Sequence, residues 1–446
     1  MDDLVQKVRN AGVVGAGGAG FPAYVKMSCE AELLIANGAE CEPLLYKDQT
    51  IIQQFSESLI QGMLLLMHHI GAKRGVLAVK EKHKASISHI EPLLPENIDL
   101  KLMPNMYPAG DEYELVYEVT GKRIPAGGLP KEIGVLVNNV ETIVNISRAS
   151  EGKPVTHSMI TVHGEVETPF TAWLPVGMTY SDILALAGKV TCDNPVIIEG
   201  GAMMGSVETD LSKSISAVSS ALLVLPADAH LLGKRAEPES AFRRIGKSAC
   251  DQCSLCTEMC PRYLLGYPIR PHLVMRSLLT SGITSETLSV NAQACCECNV
   301  CTLWACPEHL NPRDVCATTK RDLRAAGLWQ TPEQLQAQTR PVHSMRDYRA
   351  VPTKRLIQRL GLAKYDKRIA RWKGESIVPE SVSIALSARM GADTEPVVKV
   401  GDTVDAGSII ATVAADKMGV PVHASISGTV TSVSDHINIQ SSGNRP

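Results

Sequence analysis

The sequence lacks the features that mark three common classes of protein. It has no basic excess, since its formal net charge is −3, and nucleic-acid-binding proteins normally carry a clear basic excess. Its longest apolar run, residues 59–70, contains two histidines and is shorter than the roughly 20 apolar residues that span a bilayer. Residues 1–10 are charged and lack the apolar core of a secretion signal. We therefore expect a cytoplasmic protein with no membrane span and no nucleic-acid partner.

Aromatic residues are also scarce, at 4% of the chain, but hydrophobic residues make up 44%, which is enough for packed cores. The length of 446 residues predicts about three or four compact units. Ten of the 13 cysteines lie between Cys250 and Cys316. Because disulfide frameworks belong mainly to small exported domains, this distribution favours metal ligation.

Two cysteine runs have the spacing of iron–sulfur ligands. In each run two residues separate the first cysteine from the second and the second from the third, and a proline directly follows the fourth. Three residues separate the third cysteine from the fourth in the first run, and four separate them in the second. Two-residue gaps let thiolates reach neighbouring corners of a four-iron cluster, and in two-cluster ferredoxins the fourth cysteine binds the other cluster. We therefore predict two [4Fe–4S] clusters, one bound by Cys250, Cys253, Cys256 and Cys306, the other by Cys295, Cys298, Cys301 and Cys260.

Structural zinc also uses paired cysteines, but it needs two separated pairs and not a triple run that ends in Cys-Pro. The sequence leaves the identity of one cluster ligand undecided, because Cys296 neighbours Cys295 and either thiol could bind the cluster. The two-residue gap to Cys298 favours Cys295. Cys316 is expected to be an ordinary buried thiol.

The apolar pattern divides the chain into five segments. Residues 1–150 alternate short apolar runs with helical-period stretches and predict an α/β domain. Residues 154–226 have β-branched runs broken by glycine and proline, which predict a small sheet-containing module. Residues 240–325 hold the cysteine runs, residues 326–375 predict a basic helical linker with a solvated face, and residues 380–440 predict short strands with glycine turns.

Four segments of the first domain combine glycine with polar side chains. Residues 12–22 form a glycine-rich loop, in which backbone N–H groups can approach a phosphate or a flavin without interference from a Cβ. Polar clusters follow at residues 37–43, 107–112 and 137–142. The loop is not a P-loop, because no Gly-Lys-Ser/Thr follows it, and it is a poor Rossmann fingerprint, because no apolar strand precedes it.

Together these segments resemble the flavin- and NADH-binding subunit of respiratory complex I and, more closely, the C subunit of the Rnf electron-transport complex. The resemblance extends through residues 127–130 and 200–205 into the cysteine region. It implies an α/β plus β fold: an N-terminal Rossmann-like flavin domain, a β-grasp module that binds soluble ligands, an α-helical dicluster ferredoxin domain and a C-terminal barrel-sandwich module. It also implies FMN, two [4Fe–4S] clusters and NADH as the electron donor.

The same resemblance implies the site residues. FMN would be lined by Gly15, Gly17, Gly18, Lys26, Asn37, Glu40, Gly110, Asn138, Asn139 and Thr142, and NADH would contact Phe21, Glu42 and Glu112. Two positions depart from the complex I subunit, since Ala16 replaces its arginine and Ala39 replaces its aspartate. Both positions bear on nucleotide affinity and on the flavin potential.

The position of the last module along the chain indicates a more specific family. A module similar to residues 398–433 is N-terminal in the Rnf subunit but follows the clusters here, an arrangement that resembles the cobalamin reductases of bacterial propanediol-utilisation microcompartments. This implies an oxidoreductase that takes hydride from NADH and passes single electrons to cobalamin, from cob(III)alamin through cob(II)alamin to cob(I)alamin, for adenosylcobalamin regeneration in propanediol degradation. Its partners would be cobalamin, a cobalamin adenosyltransferase and microcompartment proteins, and it would reside in a cytoplasmic microcompartment. The alternatives are an Rnf-like electron-transport subunit and a non-catalytic electron-wire module.

Two further motifs have simpler interpretations. Residues 228–233 match the D-x-H-x-x-G loop by which some B12 enzymes place a histidine on cobalt, but Cys250 follows Gly233 by only 17 positions. That distance leaves no room for the Rossmann-like domain that carries such a loop, so His230 is expected on a helix approaching the cluster domain. Lys417 has the spacing of a lipoyl lysine, but we expect an unmodified turn residue there.

Overall fold

The computed structural model describes residues 3–387 and 389–443. The N-terminal domain is a parallel sheet with helices packed on both faces. Its elements are α1 (Asp3–Asn10), α2 (Ala23–Met27), β1 (Leu33–Gly38), α3 (Lys47–Gln54), α4 (Ser56–Ile70), β2 (Arg74–Lys80), α5 (Lys84–Ile90), β3 (Ile98–Met103), β4 (Met106–Tyr107), α6 (Glu112–Thr120), β5 (Val135–Asn139) and α7 (Val140–Ser150). The apolar runs at residues 33–36, 76–79 and 135–137 are confirmed as parts of β1, β2 and β5.

The strands of this domain are apolar along their length because both faces of the sheet are covered. Leu34 and Ala36 of β1 pack in a core with residues of α4 and α7, whereas Ile35 packs on the opposite face with residues of α6. Buried parallel strands of this kind appear in the sequence as continuous apolar runs and not as alternating patterns.

The order of the strands decides where a ligand can bind. The sheet runs β3-β2-β1-β5, so the chain continues from β1 to a strand on one side and later adds β5 on the other. Asn37 at the end of β1 is paired in register with Asn139 at the end of β5. Ligands of open parallel sheets bind at such a change of direction, beyond the carboxyl ends of the strands.

The second module is a mixed sheet with one helix on its core face. Its elements are β6 (His157–Gly164), β7 (Phe170–Pro175), α8 (Tyr180–Leu186), β8 (Pro195–Glu199), β9 (Ser206–Glu208) and β10 (Ala221–Pro226). The strands lie in the order β7-β6-β10-β8-β9, with β6 and β10 parallel. Ile160 and Leu222 of the sheet pack against Ile183 of α8. The sheet predicted for residues 154–226 is therefore present.

The third module, which holds the cysteine runs, is helical. Its elements are α9 (His230–Arg235), α10 (Glu239–Ala249), α11 (Leu255–Glu258), α12 (Pro261–Leu264), α13 (Pro271–Ser277), α14 (Gly282–Ser289), a π-helical turn (Cys301–Ala305) and α15 (Pro312–Ala325). His230 begins α9, and α10 then leads directly to Cys250. The expected helical approach to the cluster domain is confirmed.

The following segment ties the modules together. Its elements are α16 (Pro332–Gln336), β11 (Val351–Pro352), α17 (Thr353–Arg359) and β12 (Arg371–Gly374). Strand β11 pairs with β4, and β12 extends the second sheet beside β7.

Part of this basic segment forms the solvated helical face that the sequence predicts, since Lys354, Arg355 and Arg359 of α17 are exposed. Three other arginines contact other modules. Arg346 lies 2.6 Å from Glu114 and 2.5 Å from Glu118 on α6, and Arg349 lies 3.0 Å from Glu258 in the cysteine module. Arg368 donates hydrogen bonds to backbone carbonyls of the second module. These three arginines thus face acidic and carbonyl groups on other modules, which the local sequence does not reveal.

The C-terminal module packs two small antiparallel sheets face to face. Its elements are β13 (Ser381–Ala385), β14 (Glu395–Pro396), β15 (Thr403–Val404), β16 (Ile409–Thr412), β17 (Val422–His423), β18 (Gly428–Val433) and β19 (His436–Ser441). The sheet orders are β13-β19-β18-β15 and β14-β16-β17. Ser383 donates its N–H to the carbonyl of Gly177 at 2.7 Å, so this module docks on the second one. Lys417 lies exposed in the turn between β16 and β17.

None of the helices in the described ranges has the length and apolar character needed to cross a bilayer.

Candidate flavin and iron–sulfur site

A cavity of about 1060 Å³ lies at the carboxyl ends of β1 and β5, where the strand order changes direction. Its wall also includes residues of the second module, of the cysteine module and of the C-terminal module. Ligand pockets typically measure about 300–1,000 Å³. This cavity therefore has room for a flavin nucleotide together with part of a second ligand.

The structure brings all of the residues assigned to FMN and NADH into the wall of this one cavity. They are Gly15, Gly17, Gly18, Phe21, Lys26, Asn37, Glu40, Glu42, Gly110, Glu112, Asn138, Asn139 and Thr142. They come from the glycine loop, from α2, from the end of β1 and the residues after it, from the end of β5, from the residues before α6 and from the first turns of α6 and α7. Residues that are far apart in the sequence thus share one concave surface.

The glycine loop is held at Ala16 from both sides. The Ala16 N–H donates to Thr142 Oγ1 at 2.9 Å, and the Ala16 carbonyl accepts from Lys47 Nζ at 2.6 Å. Gly18 has a φ of +103°, and a Cβ there would meet no atom within 4 Å. The loop therefore needs glycine at this position for its backbone conformation and not for space.

Lys47 and Glu141 form a buried ion pair that the sequence analysis missed. Lys47 Nζ lies 2.7 Å from Glu141 Oε2, with side-chain exposures of 3% and 0%. Burial alone would lower the pKa of Lys47, but the charges of Glu141 and Asp48 outweigh it and raise that pKa. The available signal is a Lys-Asp dipeptide in an otherwise apolar stretch, because buried charges occur almost only in pairs.

The asparagines at the strand ends are fixed by hydrogen bonds, with one exception. Asn139 Nδ2 donates to Asp48 Oδ1 at 3.1 Å, and its Oδ1 accepts the Glu141 N–H at 2.9 Å, which caps α7. Asn37 Nδ2 donates to the Gly110 carbonyl at 3.0 Å. Asn138 Nδ2, however, is buried and no described residue accepts a hydrogen bond from it. An unsatisfied buried donor in a cavity wall fits a bound ligand with acceptor atoms, such as a flavin.

Two glutamates of the cavity have raised pKa values. Burial, followed by the nearby Asp48 charge, raises the pKa of Glu40 to about 8. Burial raises the pKa of Glu42 to about 7, although its carboxylate accepts the N–H groups of Met203 and Met204 at 2.9 and 3.0 Å. Glu42 thereby fastens the second module to the flavin domain.

Lys26 and Glu112 are neighbours in the cavity wall and form an ion pair. Lys26 Nζ lies 3.0 Å from Glu112 Oε1, and both side chains are about one third exposed, at 33% and 34%. A bound nucleotide can therefore reach either charge.

The cysteine module meets the flavin cavity directly. Cys296 and Cys298 lie in the cavity wall, and Tyr107 donates its hydroxyl to the Cys298 carbonyl at 2.8 Å. Arg262, which follows Cys260-Pro261, lies 2.9 Å from Asp111, the residue that caps α6. These contacts hold parts of both cysteine runs against the cavity, and nothing in the sequence beyond the residue types predicts them.

The cysteine group that includes Cys250 lies apart from this cavity. Cys250, Cys253, Cys256 and Cys306 line a separate small cavity. Burial, followed by the neighbouring thiols of this group, raises the pKa of Cys256 to about 12. Cluster irons bind thiolates, and four cysteines that line one small cavity can supply them together, so the group fits a cluster.

The second cysteine group leaves the neighbouring pair unresolved. Burial raises the pKa of Cys260, and the next contributions come from Cys296 and Cys295, so both thiols lie near it. The Cys296 thiol lies near that of Cys298, and the Cys295 thiol lies near that of Cys316, which is fully buried. In the described part of the chain, no three His, Cys, Asp or Glu side chains converge to hold one single metal ion.

Three protein-family models match the chain in the order of its modules. A Nuo51 FMN-binding domain matches residues 8–148, a 4Fe-4S dicluster domain matches residues 249–311, and an RnfC barrel-sandwich hybrid domain matches residues 369–445. The cobalamin reductase PduS of Salmonella typhimurium (strain LT2) is 40% identical over 97% of this chain and 95% of that protein. The chain belongs to the PduS family of cobalamin reductases. The PduS of Citrobacter freundii is also 40% identical, over 96% of this chain and 94% of its own.

The domain matches confirm two of the predicted cofactor classes, FMN and [4Fe–4S] clusters. This member of the PduS family has an FMN-binding domain, a 4Fe-4S dicluster domain and a C-terminal barrel-sandwich domain. The expected resemblance to complex I and Rnf subunits is confirmed by the same matches. Among solved structures, an NAD⁺-reducing [NiFe]-hydrogenase in the air-oxidised state is 21% identical, with a TM-score of 0.49 over 81% of this chain and 66% of that one.

Proposed function

We propose that this chain oxidises NADH at FMN and delivers electrons one at a time, through two [4Fe–4S] clusters, to cobalamin. One observation carries the proposal: one of the two cysteine groups borders the flavin cavity, and the other lies apart from it. Cys298 belongs to the wall of that cavity, whereas Cys250, Cys253, Cys256 and Cys306 surround the smaller one. Cys253 is exposed, so the group that contains Cys250 reaches the protein surface.

FMN, when bound, supplies the conversion of a two-electron hydride donor into single electrons that a cluster can accept. The chain would hold it through the glycine loop, the unpaired Asn138 amide and the positions already named for FMN. Burial raises the pKa of Glu40 to about 8, which favours a protonated carboxyl that would donate a hydrogen bond to the flavin. Phe21, Glu42 and Glu112 would form the side of the cavity that meets NADH.

We assign the cluster ligands as the spacing predicts. Cys306 shares its cavity with Cys250, Cys253 and Cys256, which supports the exchange of fourth ligands between the two runs. Cys295, Cys298, Cys301 and Cys260 would then bind the cluster nearer the flavin. Electrons would leave through the cluster at the exposed Cys253.

Cobalamin is proposed as the acceptor because the relatives that match nearly the whole chain are named cobalamin reductases. By the same relationship the reduced corrin would serve a cobalamin adenosyltransferase, and the protein would work in a propanediol-utilisation microcompartment. We also propose that the N-terminal sheet is a Rossmann-like flavin domain and that the second sheet is a β-grasp module.

The test is an anaerobic rapid-mixing experiment with protein loaded with FMN and iron. NADH should bleach the flavin first and the cluster absorbance next, and cob(III)alamin added afterwards should restore both. Cys306→Ser should keep flavin bleaching by NADH but lose most cobalamin reduction, with Cys192→Ser as a matched control outside both cysteine runs. Full cobalamin reduction by a Cys306→Ser protein that lacks one cluster would contradict the proposed route. No NADH-dependent corrin reduction by loaded wild type would favour the Rnf-like or electron-wire alternative.

A further inference from the structure

The C-terminal module reaches the flavin cavity through the connection between β13 and β14. Arg389 and Met390 of this connection lie in the cavity wall. A Cβ placed on Gly20 would lie 3.2 Å from Arg389 Cβ and 3.8 Å from its Cγ. The stem of the arginine therefore packs directly on the glycine loop.

Arg389 differs from most other cations of the cavity wall in the partners of its charged group. The cationic side chains in the wall are Lys26, Lys47, Lys131, Arg235, Arg313 and Arg389. Four of them are already engaged: Lys26 with Glu112, Lys47 with Glu141, Arg313 with Asp314, and Arg235 with two backbone carbonyls. Within the described ranges, no hydrogen bond or ion pair engages the guanidinium of Arg389. It is an exposed side chain beside a ligand cavity.

We propose that Arg389 binds a phosphate of a nucleotide held in the flavin cavity. The glycine loop, residues 12–22, contains no cationic residue of its own, and Arg389 is packed against it. A guanidinium donates two parallel hydrogen bonds to a phosphate, which a lysine ammonium does not. Lys131, the other cation of the wall for which no described residue provides a hydrogen bond or ion pair, lies in the turn before β5.

This inference rests on the proposed function, because both proposed ligands, FMN and NADH, carry phosphates. The chemistry recognised is the same in the two cases, a phosphate ester of a nucleotide. The C-terminal module then forms part of the nucleotide site in addition to its contact with the second module.

The test uses the full chain with its clusters and three variants, without FMN for the FMN titration and loaded with FMN for the ADP-ribose titration. Arg389→Met removes the charge but keeps an apolar stem on Gly20, and Arg389→Lys keeps the charge without the fork geometry. Lys399→Ala, an exposed lysine of the same module outside the cavity wall, is the matched control. Two dissociation constants are measured: that of FMN, by flavin fluorescence, and that of ADP-ribose, by calorimetry. ADP-ribose carries the pyrophosphate of NADH without its nicotinamide.

We expect Arg389→Met to raise one of the two dissociation constants by about tenfold, the usual weight of a charge-assisted hydrogen bond. Arg389→Lys should recover part of the loss, and Lys399→Ala should match wild type. A rise for ADP-ribose assigns the phosphate to the electron donor, and a rise for FMN assigns it to the flavin. Unchanged constants for both ligands in a folded Arg389→Met protein would overturn the inference.

The two levels of proposal fail separately. If wild type binds neither ADP-ribose nor NADH, the donor assignment fails, while the FMN measurement still decides the role of Arg389. If wild type binds both nucleotides and Arg389→Met binds them equally well, only the role of Arg389 fails. Iron content and circular dichroism of each variant verify that its modules are intact.

Discussion

The ammonium group of Lys47 lies 2.7 Å from the carboxylate of Glu141, and both side chains are buried. Lys47 also donates to the carbonyl of Ala16 in the glycine loop. The pair thus joins α3, α7 and the glycine loop at one point. Removing one member of a buried pair leaves the other charge uncompensated, which typically costs about 3–5 kcal/mol.

We therefore expect Lys47→Met to lower the free energy of unfolding by about 3 kcal/mol and to reduce the FMN content of the purified protein. Chemical unfolding followed by circular dichroism, and flavin absorbance per chain, measure the two effects. Lys73→Met, at an exposed lysine, is the control and should change neither. A Lys47→Met protein with wild-type stability and flavin content would show that the pair has no structural role.

The cluster assignment predicts the metal content of the protein. Anaerobically purified protein should contain about eight irons and eight acid-labile sulfides per chain, as two four-iron clusters require. Cys306→Ser should remove the spectroscopic signal of the cluster bound by Cys250, Cys253 and Cys256, and Cys298→Ser should remove the other. Electron paramagnetic resonance of the reduced variants measures this. Stoichiometric zinc without sulfide would contradict the assignment, and loss of the opposite cluster would contradict the ligand exchange.

Features with a local origin could be predicted from the sequence. The apolar runs of β1, β2 and β5 follow from burial on both faces of a parallel sheet, and two-residue cysteine spacing follows from the size of a cluster. The location of the glycine loop beside Asn37 and Asn139 could be predicted only from the family resemblance, because no single segment of the sequence indicates the order of the strands.

Contacts between distant charges could not be predicted. Arg346 and Glu114 are separated by 232 positions, yet their side chains lie 2.6 Å apart. The same holds for Lys47 with Glu141 and for Arg389 beside the glycine loop. Each depends on how complete modules dock, and the local pattern of a basic segment indicates only that its charges need partners or water.

The glycine loop gives a prediction that separates flavin binding from folding. A Cβ at Gly17 would lie 3.5 Å from Asn139 Cβ, an ordinary contact, so the backbone can accept a side chain there. The branched methyl groups of Gly17→Val would nevertheless occupy cavity space, and we expect loss of most FMN with both clusters retained. Gly233→Val is the control, since a Cβ at Gly233 meets no atom within 4 Å. Normal flavin content in Gly17→Val would remove this loop from the site.

Glu165 gives a prediction for pH. Burial would raise its pKa, but hydrogen bonds from Lys364, Thr191 and Tyr365 together lower it to about 2. Because the folded pKa lies below the unfolded value of about 4.3, this network contributes stability above that pH and loses it as the pH falls toward 2.

Glu165→Gln should therefore be less stable than wild type at pH 7, and the difference should shrink as the pH falls from about 5 to about 3. Urea unfolding at a series of pH values measures the difference. Glu96→Gln, at an exposed glutamate, should follow wild type throughout. A difference that stays constant or grows toward low pH would mean that the Glu165 charge is not the source of the effect.

His230 tests whether the corrin needs a histidine of this chain. It is the exposed first residue of α9, with its ring 6.2 Å from the ring of His309, and it is not among the residues lining either cavity. We expect His230→Ala to reduce cobalamin with NADH at a rate within about twofold of wild type, because electrons travel through groups held by cysteines. Cys298→Ser, assayed alongside, should lose the activity. Severe loss in His230→Ala with FMN and both clusters intact would identify His230 as a cobalt ligand and would place the corrin at α9, not at the exposed Cys253.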